Sequence, residues 1–265
     1  MYAVKPLLPR IYLGTPSSQG LVFDPPLYEK NGTSAKDIIA NLTGAFSNSP
    51  TWSDDTIGAM LTFNGGNPGS VVDFTLVGQQ RGFTQVSFMA IAYRTGVAPG
   101  NLGRIFSETN TTSSGFQLAD QDNVNQIRFI APFDTTSGTW SAPATSLNTM
   151  MTYVVTYDGS STSNVPNIWV NGVKQTVTTQ TAPSGTLALR DTHLLIGNIS
   201  QTGNVFTRTF NGKIGVVRKW SRMLDAQEAV LFSAFPWLVY SDVKNNWLTS
   251  GGNLLRTLPL LGAGL

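Results

Sequence analysis

The sequence predicts an all-β protein, a two-sheet antiparallel jelly-roll sandwich with one short C-terminal helix. Three observations carry this. Short runs of β-branched and aromatic residues recur along the chain. Clusters of Gly, Pro, Asn, Asp and Ser separate them at short spacing. One segment alone, near Ala226, reads as a convincing helix. On this pattern the competing arrangement is another all-β sandwich.

In chain order, the expected strands are Val71–Leu76, Thr84–Tyr93, Gly103–Ser107, Gln126–Ile130, Met150–Tyr157, Asn167–Val170, Val173–Thr179, His193–Ile196 and Lys213–Trp220. Within Thr84–Tyr93 the period of two puts Val86, Phe88, Ala90 and Ala92 on one face. Asn171-Gly172 between two of these runs predicts a hairpin with a type I′ turn, whose central residues both need positive φ. Asp158-Gly159 ends the strand before it. Residues 36–47 could hold a short helical turn, against the grain of Gly44 and the β-branched residues there. The helix begins at Asp225, an N-cap with Glu228 three residues on, the spacing of a capping box. Pro236 ends it, because the residue before proline is pushed out of the α region.

The composition narrows the classes. The chain has 265 residues, 41% hydrophobic and only 12% charged, with a formal net charge of +2. That is too apolar and too weakly charged for a disordered chain, and too poor in charge for a coiled coil. No linker divides it, so one domain is expected. The absence of Cys removes disulfides, thiolate nucleophiles and Cys-ligated zinc. No apolar run reaches the ~18 residues of a membrane span, and Met1–Gly14 reads poorly as a signal peptide because of its prolines.

Leu21–Glu29 (LVFDPPLYE), Asn31-Gly32-Thr33, Asp37, Gly58-Ala59 and Leu61–Gly65 (LTFNG) form an ordered series of short motifs. Phe83–Ala90, Tyr153–Gly159 (YVVTYDG), Ile168–Val173 (IWVNGV), Leu195–Gly197, Phe210–Gly215 (FNGKIG) and Trp220–Glu228 (WSRMLDAQE) continue it. Over residues 21–240 the order and spacing of these pieces resemble the laminin-G-like, concanavalin A-like jelly rolls. Lectins, glycosidases, adhesion modules and virion parts all use that fold, so the resemblance alone sets no function. Ala234-Phe235-Pro236-Trp237 is similar to the Asn-Pro-Trp ending of such domains in bacteriophages and prophages, with Phe235 where that pattern has Asn.

Glycoside hydrolysis needs paired carboxylates. Enzymes of this fold family carry Glu-x-Asp-x-Glu on one strand, and this chain has three scattered glutamates, Glu29, Glu108 and Glu228. Asp54-Asp55 are consecutive and would face opposite ways on a strand. Asp120 and Asp122 share a face if extended, but their Gln/Asn-rich segment reads as a solvated loop. The single histidine, His193, has Asp191 two residues before it and no Gly-x-Ser-x-Gly elbow to serve, so it reads as a strand residue. No catalytic residue and no cofactor is assigned. A structural calcium is the one metal considered, with Asp24, Asn64, Asp120, Asp122 and Asp158 as oxygen donors, though such residues commonly just form turns. Scattered Lys and Arg and the lack of a phosphate loop argue against nucleic acid and nucleotides. For carbohydrate, Trp169 and Trp220 lie in strands and read as core. Trp52 and Trp140 lie in Ser/Thr/Pro-rich stretches and are the candidate glycan-binding residues.

Residues 1–20 and 241–265 flank the jelly roll as N- and C-terminal arms, and the last ends LLRTLPLLGAGL, too apolar for a free tail. Such a tail packs on its own domain or docks on a neighbour. The leading expectation is therefore a non-enzymatic structural or decoration protein of a bacteriophage-type virion, on the capsid or tail surface. It would dock through its arms on other virion proteins and on copies of itself. The alternative is a carbohydrate-binding or adhesion module at a cell surface, with glycoside hydrolase a distant third.

Overall fold

A computed structural model describes residues 5, 11, 16–66, 69–76, 81–110, 113–143, 147–188, 192–201, 205–206 and 208–240. Two antiparallel sheets face each other. The first runs, edge to edge, through β14 (Val173–Lys174), β13 (Asn167–Val170), β12 (Met150–Asp158), β7 (Gln85–Arg94), β19 (Asn211–Trp220), β5 (Gly58–Asn64) and β4 (Thr51–Asp55), and β1 (Leu21–Phe23) also pairs with β19. The second runs through β15 (Thr178–Thr181), β11 (Gly138–Pro143), β10 (Gln126–Ala131), β9 (Ser113–Gln121), β8 (Gly103–Asn110), β16 (His193–Ile196), β6 (Val71–Thr75), β3 (Thr43–Ser47) and β2 (Ser34–Lys36). A short ribbon, β17 (Ser200–Gln201) with β18 (Val205–Phe206), follows β16. This is the predicted jelly-roll sandwich.

Strand β7 shows what holds it together. Val86, Phe88, Ala90 and Ala92 point between the sheets, as the alternation predicts, and meet Phe106, Phe129 and Tyr157 there. Met89 and Ile91, on the opposite face, join a second apolar layer with Val154, Trp169, Val216, Trp220 and Phe232. The first sheet is therefore apolar on both faces, which explains why β7 and β19 read as nearly continuous hydrophobic runs.

The second layer is closed by α1 (Ala226–Ala234) and by Trp237, Val239 and Tyr240 after it. Asp225 accepts from the Glu228 amide and the Glu228 carboxylate accepts from the Asp225 amide, completing the predicted capping box. Two residues near the chain start also pack here. Ser17 accepts at its carbonyl from the Trp220 indole, and Lys5 donates its ammonium to the carbonyls of Leu27 (3.0 Å), Gly215 (2.9 Å) and Ala59.

Burial, with the Arg218 charge in second place, pushes the Lys5 ammonium from its ordinary 10.5 down to about 7. Between these values the unfolded chain holds more protons than the folded one, so the Lys5 contribution to stability rises with pH. The charge penalty is full below pH 7 and fades towards pH 10.5, by up to about 1.4 kcal/mol per pH unit. In denaturant unfolding, wild type should gain on Lys5→Met between pH 6.5 and 9. A difference that does not change with pH would contradict this.

Several local expectations need correction. Residues 36–47 form the paired strands β2 and β3, joined by a turn in which Asp37 accepts from the amides of Ile39 (3.2 Å) and Ala40 (2.8 Å). Gly44 there is a packing glycine, since a Cβ would lie 2.5 Å from the Phe74 ring. The strand expected over Val173–Thr179 stops at Lys174, and the chain crosses to the second sheet as β15. The Asn171-Gly172 turn forms as predicted, with φ of 50° and 80°.

Candidate functional site

Trp140 is not in a loop. It sits on β11, 1% exposed, with its ring 5.2 Å from that of Tyr157 and 6.3 Å from that of Phe129. A buried indole offers no face to a sugar, so the carbohydrate role weighed for Trp140 is withdrawn. Its neighbours Thr139 and Ser141 face away from the core, which is why the segment looked like a polar loop.

Trp52 lies on β4, at the open edge of the first sheet, and is partly exposed. Its indole Nε1 donates to the Gly32 carbonyl at 3.0 Å, and its ring stands 5.6 Å from that of Phe46. These two contacts fix the ring. Asp54, two residues on, projects to the same side by the strand period and pairs with Lys30 at 3.0 Å, both side chains being more than half exposed. Lys30 comes from the preceding loop, where Leu27, Lys30 and Gly32 take φ of 50°, 62° and 85°. A left-handed backbone is uncommon in Leu and Lys, so packing sets this loop rather than local preference.

Lys30, Trp52, Ser53 and Asp54 line an open depression of about 70 Å³. That is smaller than the ~300–1,000 Å³ of enclosed ligand pockets, so it is a shelf rather than a cleft. An amphipathic aromatic surface flanked by a cation and a carboxylate suits a ligand with one apolar face and many hydroxyls.

The other residues considered for chemistry are committed elsewhere. Asp120 and Asp122 are buried, not solvated. Arg94 holds Asp120 at 3.3 Å and Asp122 at 3.0 Å, and the second Asp122 oxygen accepts from the Ala98 amide at 2.6 Å. Asp24 is wholly buried against Arg218 at 2.9 Å. Asn64 accepts from the Gly66 amide at 2.9 Å, and Asp158 accepts from the Ser160 amide at 2.9 Å and from Gln85 at 3.1 Å. The oxygen donors considered for calcium are thus engaged by other partners, and no group of three metal-ligating residues gathers among the described residues. The Nδ1 of His193 lies 2.8 Å from Asp73 across the β16–β6 pair. Asp191, the neighbour considered for it, lies outside the described residues.

Two packed antiparallel sheets with a helix closing one side define a concanavalin A-like jelly-roll domain. Residues 64–229 match the model of a family described as the concanavalin A-like lectin/glucanases superfamily (Laminin_G_3), and the chain belongs to that family. No curated protein matches it in sequence. Among solved structures it is similar to the receptor-binding domain of botulinum neurotoxin type G, with a TM-score of 0.58 and 12% identity over 81% of this chain and 51% of that one. It is similar to a structure of botulinum neurotoxin type C, whose cell entry is described as dependent upon interaction with two ganglioside molecules, with a TM-score of 0.58 and 10% identity over 81% of this chain and 50% of that one. It is also similar to the binding domain of Paraclostridial Mosquitocidal Protein 1, with a TM-score of 0.56 and 11% identity over 81% of this chain and 52% of that one. The chain spans about half the length of these structures, and at such identities the likeness is one of fold.

Proposed function

We propose that this chain is a non-enzymatic, lectin-like domain that binds a carbohydrate at a cell surface. Trp52 is its stacking platform, and Lys30 and Asp54 are its polar contacts. The observation that carries this reading is the Trp52 ring, fixed by Gly32 and Phe46 beside an exposed ion pair. Family membership supports it, as do neighbours described as receptor-binding or ganglioside-dependent. The burial of the neighbouring carboxylates Asp120 and Asp122 against Arg94 supports the non-enzymatic part, because a glycosidase needs two of them facing one bond of the substrate. Among the described residues no helix is long and apolar enough to cross a membrane.

The test is a glycan array probed with wild type and Trp52→Ala. Wild type should bind a subset of saccharides, and Trp52→Ala should lose at least about tenfold in affinity, the scale of one lost aromatic contact. Its unfolding midpoint should fall by less than that of Trp140→Ala, because the ring packs against the edge of the core and is only partly buried. Equal binding by the two proteins would overturn the assignment.

The second reading is a structural protein of a bacteriophage-type particle that docks through its terminal arms. It draws on the apolar composition of residues 241–265. The Pro236-Trp237 ending has a local role instead, since Pro236 accepts from Arg218 and Trp237 packs over it. Mass by light scattering, with and without residues 246–265, discriminates a docking arm from a free binding module.

A further inference from the structure

The outer face of the second sheet carries a row of residues that the proposed saccharide shelf does not use. Cross-strand register places Arg104 of β8 opposite Ala119 of β9, and Ala119 opposite Arg128 of β10. Phe116 and Leu118 of β9 and Ile127 and Phe129 of β10 point into the core, so Ala119 and Arg128 point away from it. Two strand spacings separate the arginine backbones, about 10 Å. Only the methyl group of Ala119 stands between them in the row.

Arg104 is 7% exposed, and its Nε donates to Gln117 at 2.8 Å. Arg208 approaches from the segment before β19, where its carbonyl accepts from the Arg104 amide at 2.9 Å. Its guanidinium donates to the Gly100 carbonyl at 2.8 Å. Arg128 makes no hydrogen bond or ion pair among the described residues, and its Nε is buried. The nearby carboxylates of β9 and its following turn, Asp120 and Asp122, are taken up by Arg94.

Arg128 and Arg208 thus flank Arg104 from two sides, and none of the three pairs with a carboxylate among the described residues. Burial in the first place, and then the like charges of Arg208 and Arg128, bring the Arg104 guanidinium down to about 10. Such an arrangement costs stability unless an anion relieves it, and arginine forks match planar and tetrahedral oxyanions bidentately.

We propose that Arg104, Arg128 and Arg208 form an oxyanion subsite that holds the sulfate or carboxylate group of an acidic saccharide. Arg104 is the inner wall, and Arg128, partly exposed, is the accessible rim. The saccharide part of this proposal rests on the lectin reading above, while the oxyanion part stands on the arginines.

The test is calorimetric titration at low salt with three probes: inorganic sulfate, a sulfated disaccharide and the same disaccharide without sulfate. The proteins are wild type, Arg128→Gln and Lys36→Gln, the last removing one exposed positive charge from β2 at the edge of the same sheet. Wild type should bind the sulfated disaccharide at least tenfold more tightly than the unsulfated one. Arg128→Gln should abolish that preference, and Lys36→Gln should keep it. Equal losses in the two variants would overturn the proposal, because the effect would then be screened net charge. No sulfate-dependent binding by wild type would overturn it too. Sulfate binding that depends on Arg128 without binding of either disaccharide would uphold the oxyanion site and overturn its saccharide part. Binding of both disaccharides equally, unaffected by Arg128→Gln, would overturn the subsite and leave the lectin reading intact.

Discussion

Asp24→Ala should destabilise the protein by about 3–5 kcal/mol, the cost of stranding a buried arginine. Asp24 and Arg218 are both fully buried, 2.9 Å apart. Arg218 also donates to the Pro236 carbonyl and lies 4.9 Å from the Tyr240 ring and 5.6 Å from the Trp237 ring. Burial works against its charge, but Asp24 and Tyr240 outweigh that and raise its pKa. The pair ties β1 to β19 and to the segment that closes the second apolar layer. Removing the carboxylate leaves a cation that neither water nor protein neutralises. Replacing both partners, as Asp24→Leu with Arg218→Met, should cost much less, because no charge is then left buried. Denaturant unfolding of the two single variants and the double variant checks this through their coupling. Additive losses would contradict it.

Trp140→Ala should cost about 3–5 kcal/mol, the usual range for removing a buried aromatic ring. The indole fills the end of the inter-sheet core between Phe129 and Tyr157. The backbone has been shaped to it, since a Cβ at Gly138 would lie 2.2 Å from its ring. The protein that remains folded should keep binding at the Trp52 shelf, because the Trp140 ring is buried and forms no part of that shelf. Trp52→Ala should show the converse, with binding lost and a smaller loss of stability than Trp140→Ala. A Trp140→Ala protein of wild-type stability, or one that is stable and unable to bind, would contradict the placement of these two rings.

The contrast between the two tryptophans shows what the sequence could and could not reveal. Alternation exposed the core face of β7, and Asn171-Gly172 and Asp225…Glu228 exposed a turn and a helix start, because each signal is local. The motif series over residues 21–240 exposed the fold. Trp52 and Trp140 looked alike in sequence, each among Ser, Thr and Asp or Pro. What separates them is the position of their strands, one at a sheet edge and the other inside the sandwich, and that is a tertiary property. The Arg94 clamp on Asp120 and Asp122 was hidden for the same reason, since its partners lie 26 and 28 residues away. The Arg104–Ala119–Arg128 row was also hidden, because it exists only once three strands are in register. Lys30 carried no signal of its own. Its role beside Asp54 arises from a left-handed loop that the sequence marks only by Asn31-Gly32.

The most direct test of the carbohydrate-binding account is the indole N–H spectrum of the protein during saccharide titration. The chain has six tryptophans, so their signals can be assigned by single substitution. The account predicts that the Trp52 indole shifts in a saturable way while those of the buried Trp140 and Trp220 stay in place. A titration that binds saccharide yet leaves Trp52 unmoved, or one that shifts no indole at all, would contradict it.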